Sequence, residues 1–222
     1  MVAQNLNAIK STLPKHVKLI AVSKTKPNEL IMEAYEAGQR DFGENYVQEL
    51  ITKHSALPKD IRWHFIGHLQ TNKVKMIIPF VHLIHGVDSL KLLKEINKQS
   101  EKLNCVTNCL LQIHIAAEET KFGFDTIECE QVIVSGELKE MKNVNVMGFM
   151  GMASNTSDVN VIRKEFLSLK SFLDKMHAID TRLNELSIGM SGDYKLAIEC
   201  GSTMIRVGSS IFGQRDYPVI KE

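Results

Sequence analysis

This 222-residue sequence has neither an excess of charge of one sign nor a long apolar run. Lys and Arg together number 27 and Asp and Glu 26, so the formal net charge is +1 with histidines neutral. A nucleic-acid-binding protein would favour a basic surface, and a transmembrane helix would need roughly 18 consecutive apolar residues. The first residues also lack the basic and then apolar pattern of a secretory signal. We therefore expect a cytoplasmic protein with neither a nucleic-acid nor a membrane partner.

Patterns typical of metal centres are absent too. The chain has four cysteines, Cys105, Cys109, Cys129 and Cys200. None of their spacings is that of a CxxC zinc pair, and we predict buried thiols rather than disulfides or metal ligands. The best-spaced histidine pair, His64 and His68, falls where a strand is expected to end, and His82 and His85 would face opposite sides of a strand. No HExxH motif occurs, so we predict no metal site.

Short apolar runs alternate with longer amphipathic segments along the chain, as expected for strands that alternate with helices. Eight runs are predicted as strands, over residues 17–23, 40–43, 63–66, 83–87, 110–115, 144–150, 185–190 and 204–207. Among the amphipathic segments we predict one helix over 127–138 and a long helix capped by Asp158. Eight units in 222 residues give about 28 residues per unit, the size of a minimal β-α repeat in an eight-stranded barrel.

Two folds fit this alternation, a closed (β/α)8 barrel and an open doubly wound sheet. The open sheet leads us to expect a glycine-rich turn after the first strand, whereas residues 23–27 read Ser-Lys-Thr-Lys-Pro. No linker divides the sequence, because its five prolines are scattered and Gly and Ser do not form a long flexible stretch. We therefore predict an α/β protein with a single domain over residues 1–222, a (β/α)8 TIM barrel.

Functional groups of such a barrel gather at the carboxyl ends of its strands. Lys24 follows the first predicted strand, and a lysine amine in a low-dielectric barrel mouth loses favour as a cation and can attack carbonyls. Segments rich in Gly and Ser follow strands seven and eight, the usual phosphate site of these barrels. A solvated loop lysine and ordinary tight turns are the structural alternatives. The combination favours a Schiff-base lysine opposite a phosphate site.

Six segments of the sequence carry a resemblance to a known family. They read AVSKTKP at 21–27, FGENYVQE at 42–49, WHFIGHLQTNK at 63–73, MGFM at 147–150, LSIGMSGD at 186–193 and GSTMIRVGSSIFGQRDY at 201–217. These segments resemble the pyridoxal 5′-phosphate (PLP) homeostasis proteins, single-domain relatives of the alanine racemase barrel. The resemblance extends from about residue 18 to residue 217, and it implies a barrel of the alanine racemase N-terminal type that binds PLP.

The resemblance implies roles for individual cofactor-binding residues. Lys24 lies where family members form the internal aldimine, a covalent Schiff base with PLP. Ser187, Gly208 and Ser209 lie where the family holds the phosphate. Arg206 matches the arginine that faces the pyridine nitrogen, and Asn45 lies where a family asparagine approaches the cofactor edge.

Two positions depart from the family pattern. His68 stands where proline is usual, and Ser209 stands where threonine is common. Because serine keeps the hydroxyl group, we expect phosphate binding to survive. His68 is expected to be a surface loop histidine, with an added titrating group at the barrel mouth as the alternative.

The resemblance and the chain length favour a binding protein over an enzyme. An arginine opposite the pyridine nitrogen keeps its proton at ordinary pH, so it leaves that nitrogen unprotonated and weakens the ring as an electron sink. Racemases of this fold add a second domain that helps to bring a tyrosine base, whereas 14 residues follow Gly208 here. We expect a monomer that buffers or delivers PLP in vitamin B6 homeostasis, with PLP enzymes as candidate recipients.

Two catalytic alternatives stay open at this point. A PLP-dependent amino-acid racemase or lyase would need a second base, for which Tyr46 and His68 are the candidates. A Schiff-base aldolase without PLP would explain Lys24 but neither the paired phosphate loops nor Arg206. We expect no catalytic residues and no substantial turnover.

Overall fold

The strands and helices alternate along the chain in a computed structural model that describes residues 1–118 and 122–214. The strands are β1 (Lys18–Val22), β2 (Asp41–Glu44), β3 (Arg62–Phe65), β4 (Val81–Val87), β5 (Thr107–Gln112), β6 (Val144–Met150), β7 (Glu185–Ser187) and β8 (Met204–Val207). The helices are α1 (Val2–Lys10), α2 (Asn28–Glu36), α3 (Val47–Ala56), α4 (Val74–Ile77), α5 (Leu90–Lys102), α6 (Thr126–Val134), α7 (Glu137–Glu140), α8 (Val159–His177), α9 (Tyr194–Glu199) and α10 (Ser209–Phe212).

The sheet is a closed barrel in which every strand is parallel to its neighbours. Closure comes from β1, which pairs with β2 on one side and with β8 on the other. The predicted (β/α)8 barrel is therefore confirmed. Helix α1, which the sequence analysis did not predict, packs beside α10, where the Asn5 side-chain amide donates to the Ile211 carbonyl (3.1 Å).

Local sequence signals explain where two helices begin and where one predicted helix breaks. The Asp158 carboxylate accepts the Asn160 amide (2.9 Å) at the start of α8, as the sequence predicts. The single helix predicted over 127–138 is wrong, because this segment forms α6 and then α7. Gly136, at φ 85°, adopts the left-handed conformation between them, which glycine tolerates without a steric cost.

Strands β5 and β7 end earlier than the apolar runs that predict them. The run at 110–115 continues beyond the end of β5, where the His114 amide donates to the Phe124 carbonyl (2.9 Å) instead of to a neighbouring strand. The strand predicted over 185–190 also ends early, and Gly189 turns the chain with a φ of 95°. Beyond these strand ends Ile113 and Ile188 are still buried, whereas Met190 is exposed.

Buried side chains form one layer outside the barrel and another inside it. The outer layer packs strands against helices and includes Phe42, Trp63, Phe149 and Phe166. A smaller apolar group contains Leu83, Leu110, Met150 and Met204. Polar side chains share the barrel interior, because His85 on β4 contacts Ser187 on β7, and these two strands are not adjacent. The interior is therefore partly polar.

The helices and the cysteines bear on two expectations from the sequence. Within residues 1–118 and 122–214, no helix is long and apolar enough to cross a bilayer. The four cysteines are free thiols, of which Cys105 is half-buried and the other three are buried. Burial raises the pKa of the Cys109 and Cys129 thiols, so they stay protonated at neutral pH.

Candidate functional site

A cavity of about 290 Å³ opens at the carboxyl ends of the barrel strands. Its polar side chains are those of Lys24, Lys26, Asn45, Ser191, Arg206 and Ser209. Its apolar side chains are those of Val22, Ile66, Met152 and Met190. The volume lies near the lower end of the ~300–1,000 Å³ that is usual for small-molecule sites. The cavity is thus suited to a small polar ligand that meets several cationic groups.

Lys24 lies two residues after the end of β1 and lines this cavity. Contacts to the main chain hold the residues on both sides of it: Lys53 Nζ donates to the Ser23 carbonyl (2.7 Å), and the Thr25 amide donates to Glu49 Oε1 (2.6 Å). Thr25 has a φ of 63°, a left-handed conformation that β-branched residues rarely adopt. Both contacts therefore support a strained turn that aims Lys24 into the cavity.

The side chains behind this turn form a compact charged group, the Lys53 cluster, made of Ser23, Glu44, Glu49 and Lys53. Lys53 Nζ donates to Glu44 Oε1 (2.9 Å) and to Glu49 Oε1 (2.7 Å), and the Ser23 hydroxyl donates to Glu44 Oε1 (2.6 Å). Burial raises the pKa of Glu44 to about 7, although Lys53 and Ser23 favour the ionised form. None of the four residues lines the cavity, so the cluster supports Lys24 from behind.

Arg206, on β8, is the other cationic group with a fixed place in the cavity wall. Its Nη1 donates to the Ser187 carbonyl (2.6 Å) and to Ser187 Oγ (2.7 Å), and its Nη2 donates to the Gly151 carbonyl (3.0 Å). Burial lowers the pKa of the guanidinium to about 10, which still leaves it cationic at neutral pH. Three of its five N–H groups are thus committed to the protein, and two remain for a ligand.

The loops after β7 and β8 meet at one side of the cavity. The Gly208 amide donates to Ser191 Oγ (3.2 Å), which ties the two loops together. Ser209 begins α10, and the first amides of a helix have no intrahelical acceptor. Gly189, in the β7 loop, needs to be glycine because a Cβ would lie 2.6 Å from the Ala197 Cβ. The two loops present hydroxyl and amide donors to a common space.

Asn45, the residue after β2, lines the cavity. Its Oδ1 is buried and accepts no hydrogen bond from the residues that the structure describes. Gly67 packs against the main chain of Asn45 so closely that a Cβ would lie 2.3 Å from the Asn45 carbonyl oxygen. The position of Asn45 is therefore fixed by backbone packing, and its side-chain oxygen is left for a ligand.

The structure brings together five of the six residues singled out in the sequence and separates the sixth. The five that line the cavity are Lys24, Asn45, Arg206, Gly208 and Ser209. Ser187 is fully buried beneath Arg206 and does not line the cavity. Ser191 and Gly192 take its place in the wall, because β7 directs Ser187 into the barrel while the loop reaches the rim. The terminal residues 215–217 of the resembling segment lie outside the described ranges.

Neither candidate for a second base lines the cavity. Tyr46 is 59% exposed and precedes α3. His68 is also on the surface, where its Nδ1 contacts Asp88 Oδ2 (2.7 Å) and its ring stacks on Phe122 at 4.1 Å between centroids. His68 is therefore a loop histidine, as expected.

The histidines inside the barrel are arranged differently from the prediction. The rings of His82 and His85 both lie beside His64, at 5.3 and 5.2 Å between centroids, so the prediction that they face opposite sides is wrong. The reason is a bulge: Trp63 and His64 pair with Val81 and Leu83, which leaves His82 as an extra residue in β4. An extra residue shifts the alternation of side chains by one.

The fold and the cavity define the class of protein first. A barrel with a lysine after strand one and phosphate-type loops after strands seven and eight corresponds to the alanine racemase N-terminal type. The family model described as alanine racemase, N-terminal domain, matches residues 1–216.

Similarity to known proteins then identifies one family within this class. A pyridoxal phosphate homeostasis protein of Vibrio alginolyticus is 40% identical over 209 residues, which cover 92% of this chain and 89% of that protein. The structure of PipY from Synechococcus elongatus without PLP superposes with a TM-score of 0.92 at 35% identity, and covers 96% of this chain and all of the other. PipY with PLP bound gives a TM-score of 0.88 at the same identity and coverage. The chain therefore belongs to the pyridoxal phosphate homeostasis family of these barrels.

Proposed function

We propose that this protein binds PLP covalently through Lys24 and buffers or delivers it within the cell, without substantial turnover of amino acids. The observation that carries the proposal is the placement of Lys24 and Arg206 in one cavity whose wall also includes residues of the two phosphate-type loops. The names of the relatives, and the PLP-bound structure of PipY, support the same ligand. In the covalent step the Lys24 nitrogen replaces the aldehyde oxygen of PLP, which leaves as water.

The donors and acceptors of the cavity fit the functional groups of PLP. Ser191, Ser209 and the first amides of α10 offer neutral donors to a phosphate, which accepts hydrogen bonds through its oxygens. The two uncommitted N–H groups of Arg206 suit the pyridine nitrogen. The buried Oδ1 of Asn45, which lacks a partner among the described residues, suits a ligand donor.

The same residues favour a carrier over a catalyst. When bound, PLP supplies an electrophilic aldehyde carbon and an electron-withdrawing ring. Arg206, with a pKa of about 10, holds its own protons at neutral pH and so leaves the ring nitrogen unprotonated. Racemisation also needs proton donors on both faces of Cα, and a positioned one contributes about 10²–10⁴-fold. Tyr46 and His68 lie outside the cavity wall, which supports a role without turnover.

The test of this proposal is exchange of the Cα proton. Alanine and a panel of common amino acids are incubated with the PLP-loaded protein in deuterium oxide and followed by NMR, with Lys24→Ala as the control. We expect binding of PLP without enzyme-like exchange. Multiple-turnover exchange that Lys24→Ala abolishes would show that the protein is a racemase or another amino-acid enzyme instead.

The proposal extends to the state of the protein in the cell. We propose that residues 1–222 act as one cytoplasmic domain and as a monomer, with PLP-dependent enzymes as the recipients. Sedimentation of the PLP-loaded protein checks the monomer, and transfer of PLP to an apoenzyme in the presence of a free-PLP trap checks delivery.

A further inference from the structure

A continuous line of hydrogen-bonded side chains crosses the interior of the barrel. We call it the relay, and it consists of Asp41, His64, His85, Ser187 and Arg206. His64 Nε2 lies 3.0 Å from Asp41 Oδ1, His64 Nδ1 lies 2.9 Å from His85 Nε2, and His85 Nδ1 lies 2.9 Å from Ser187 Oγ. Arg206 Nη1 completes the line with its 2.7 Å contact to Ser187 Oγ. The relay therefore connects the cavity to the start of β2, at the opposite end of the barrel.

The two charged ends of the relay determine where every proton lies. Burial alone would raise the pKa of Asp41, but hydrogen bonds from Arg62 and His64 outweigh it and hold the pKa well below its usual range, so this carboxylate only accepts. His64 must then carry its proton on Nε2, which makes Nδ1 an acceptor. Burial lowers the pKa of His64 to about 4 and holds the pKa of His85 well below its ordinary value, so both rings are neutral at pH 7.

The same reasoning continues along the line to the cavity. Because His64 Nδ1 accepts, His85 must carry its proton on Nε2 and accept on Nδ1. Ser187 must therefore donate its hydroxyl proton to His85, which turns a lone pair of Oγ toward Arg206. Each link has one donor and one acceptor, and all the hydrogen bonds run from Arg206 toward Asp41.

We propose that Ser187, His85 and His64 are positioning residues that fix the orientation of the Arg206 guanidinium for the bound cofactor. The inference rests on the proposed function, because it assigns these residues to the PLP site although none of them lines the cavity. Ser187 takes both protons of Nη1, one through its carbonyl and one through its hydroxyl, and the Gly151 carbonyl takes one proton of Nη2. Among the described residues this leaves the Nε proton and the second Nη2 proton for the ligand.

The surroundings of the relay explain why its links depend on one another. The barrel interior also contains apolar side chains such as Leu83 and Met150, and a buried polar group without a partner is costly there. Loss of one link therefore leaves its neighbours without a partner and weakens one of the three hydrogen bonds that orient Arg206.

A metal site is the other interpretation of the Asp41 end, since Asp41, His64 and His82 offer ligand atoms within 4.8 Å of one another. Arg62 donates to both carboxylate oxygens of Asp41, at 2.8 and 2.6 Å, and His64 takes a further contact. The carboxylate is thus already engaged by a cation, which favours a hydrogen-bonded end over a bound metal ion.

The first test measures the protons themselves, without PLP. Two-dimensional 15N-1H NMR of protein labelled in its histidine rings, recorded at pH 7 in the presence of EDTA, should show His64 and His85 both as neutral Nε2–H tautomers. Single substitutions at each histidine assign the signals. An Nδ1–H tautomer or a protonated ring at either position would overturn the relay.

The second test measures PLP affinity and the visible absorption band of the bound cofactor. Ser187→Ala should weaken PLP about tenfold and shift the band, the loss expected for one hydrogen bond to a charged group. Ser100→Ala is the matched control, because Ser100 is equally buried and its hydroxyl bonds to that of Thr107 (2.7 Å), away from the cavity. This control should change affinity by less than about twofold.

A pair of His85 variants separates positioning from packing. His85→Asn keeps an acceptor for the Ser187 hydroxyl, whereas His85→Leu does not. In His85→Asn we expect the PLP affinity and the absorption band to stay near those of wild type. In His85→Leu we expect both to change as they do in Ser187→Ala. If wild type binds PLP and Ser187→Ala behaves like Ser100→Ala, the positioning role is wrong. Failure of wild type to bind PLP would instead contradict the proposed function, and the tautomers would still test the relay.

Discussion

The two cationic sides of the cavity are supported in different ways. Behind Lys24, opposite charges touch: Lys53 contacts Glu44 and Glu49 at 2.9 and 2.7 Å. Behind Arg206, the direct hydrogen-bond acceptors are neutral, two carbonyls and a hydroxyl, and the Asp41 carboxylate lies at the far end of the relay. One side uses a compact ion cluster and the other uses a line of neutral groups.

The difference follows from what each network holds. The Lys53 cluster bonds to main-chain atoms of Ser23 and Thr25, so it fixes the path of the backbone on which Lys24 is carried. The relay bonds to the guanidinium of Arg206, so it fixes a side chain. Damage to the cluster should therefore reduce stability most, and damage to the relay should reduce cofactor affinity most.

The strongest test of this contrast is Lys53→Met. Removing one partner of a buried ion pair leaves Glu44 without its cation and typically costs about 3–5 kcal/mol. We expect a loss of that size in the free energy of unfolding, measured by urea denaturation at pH 8.5, above the pKa of about 7 that Glu44 has in the folded protein. The control is Lys170→Met, since the Lys170–Asp174 pair is on the surface and should contribute little. Equal, small losses in both variants would contradict the structural role of the cluster.

The pH dependence of the free energy of unfolding tests the contribution of Glu44. Its pKa is raised from 4.5 to about 7 in the folded protein, so the native state holds this proton more tightly than the unfolded state does. The contribution to stability is complete below pH 4.5 and is lost as the pH rises through 7. Relative to Glu44→Gln, wild type should lose up to about 3 kcal/mol of unfolding free energy over this interval. Parallel pH profiles for the two proteins would show that Glu44 does not titrate there.

A substitution on the phosphate side of the cavity should have a smaller effect, and it should change ligand affinity alone. Ser209→Ala should weaken PLP by about ten- to a hundredfold, since one hydrogen bond to a charged group is worth roughly 1.5–3 kcal/mol. Unphosphorylated pyridoxal should be affected much less. Ser210→Ala serves as the control, because Ser210 is the neighbouring exposed serine and does not line the cavity. Equal weakening of PLP and pyridoxal would mean that Ser209 does not contact the phosphate.

The barrel and most of the cavity follow from the sequence because they depend on local patterns. Apolar runs of strand length predict all eight strands, and the polar residue after the first of them predicts Lys24. Asn45 and Ser209 come from the family resemblance, which also rests on local motifs. Ser187 shows the limit: it shares a loop motif with Ser191, and only the direction of β7 decides which of them reaches the cavity.

Long-range contacts are the part that sequence patterns do not contain. The relay joins β2, β3, β4, β7 and β8, and its histidines meet only because a bulge at His82 shifts the alternation in β4. Likewise, the Lys53 cluster depends on α3 packing behind the β1 turn. Neither arrangement has a spacing signature along the chain.

The most direct test of the account is the identity of the amine that binds PLP. The PLP-loaded protein is reduced with borohydride, digested, and examined by tandem mass spectrometry that distinguishes Lys24 from Lys26, whose Nζ donates to the Gln214 carbonyl (2.8 Å). The account predicts the pyridoxyl mass on Lys24, and its loss in Lys24→Ala. A label carried chiefly by Lys26 or Lys73 would contradict it.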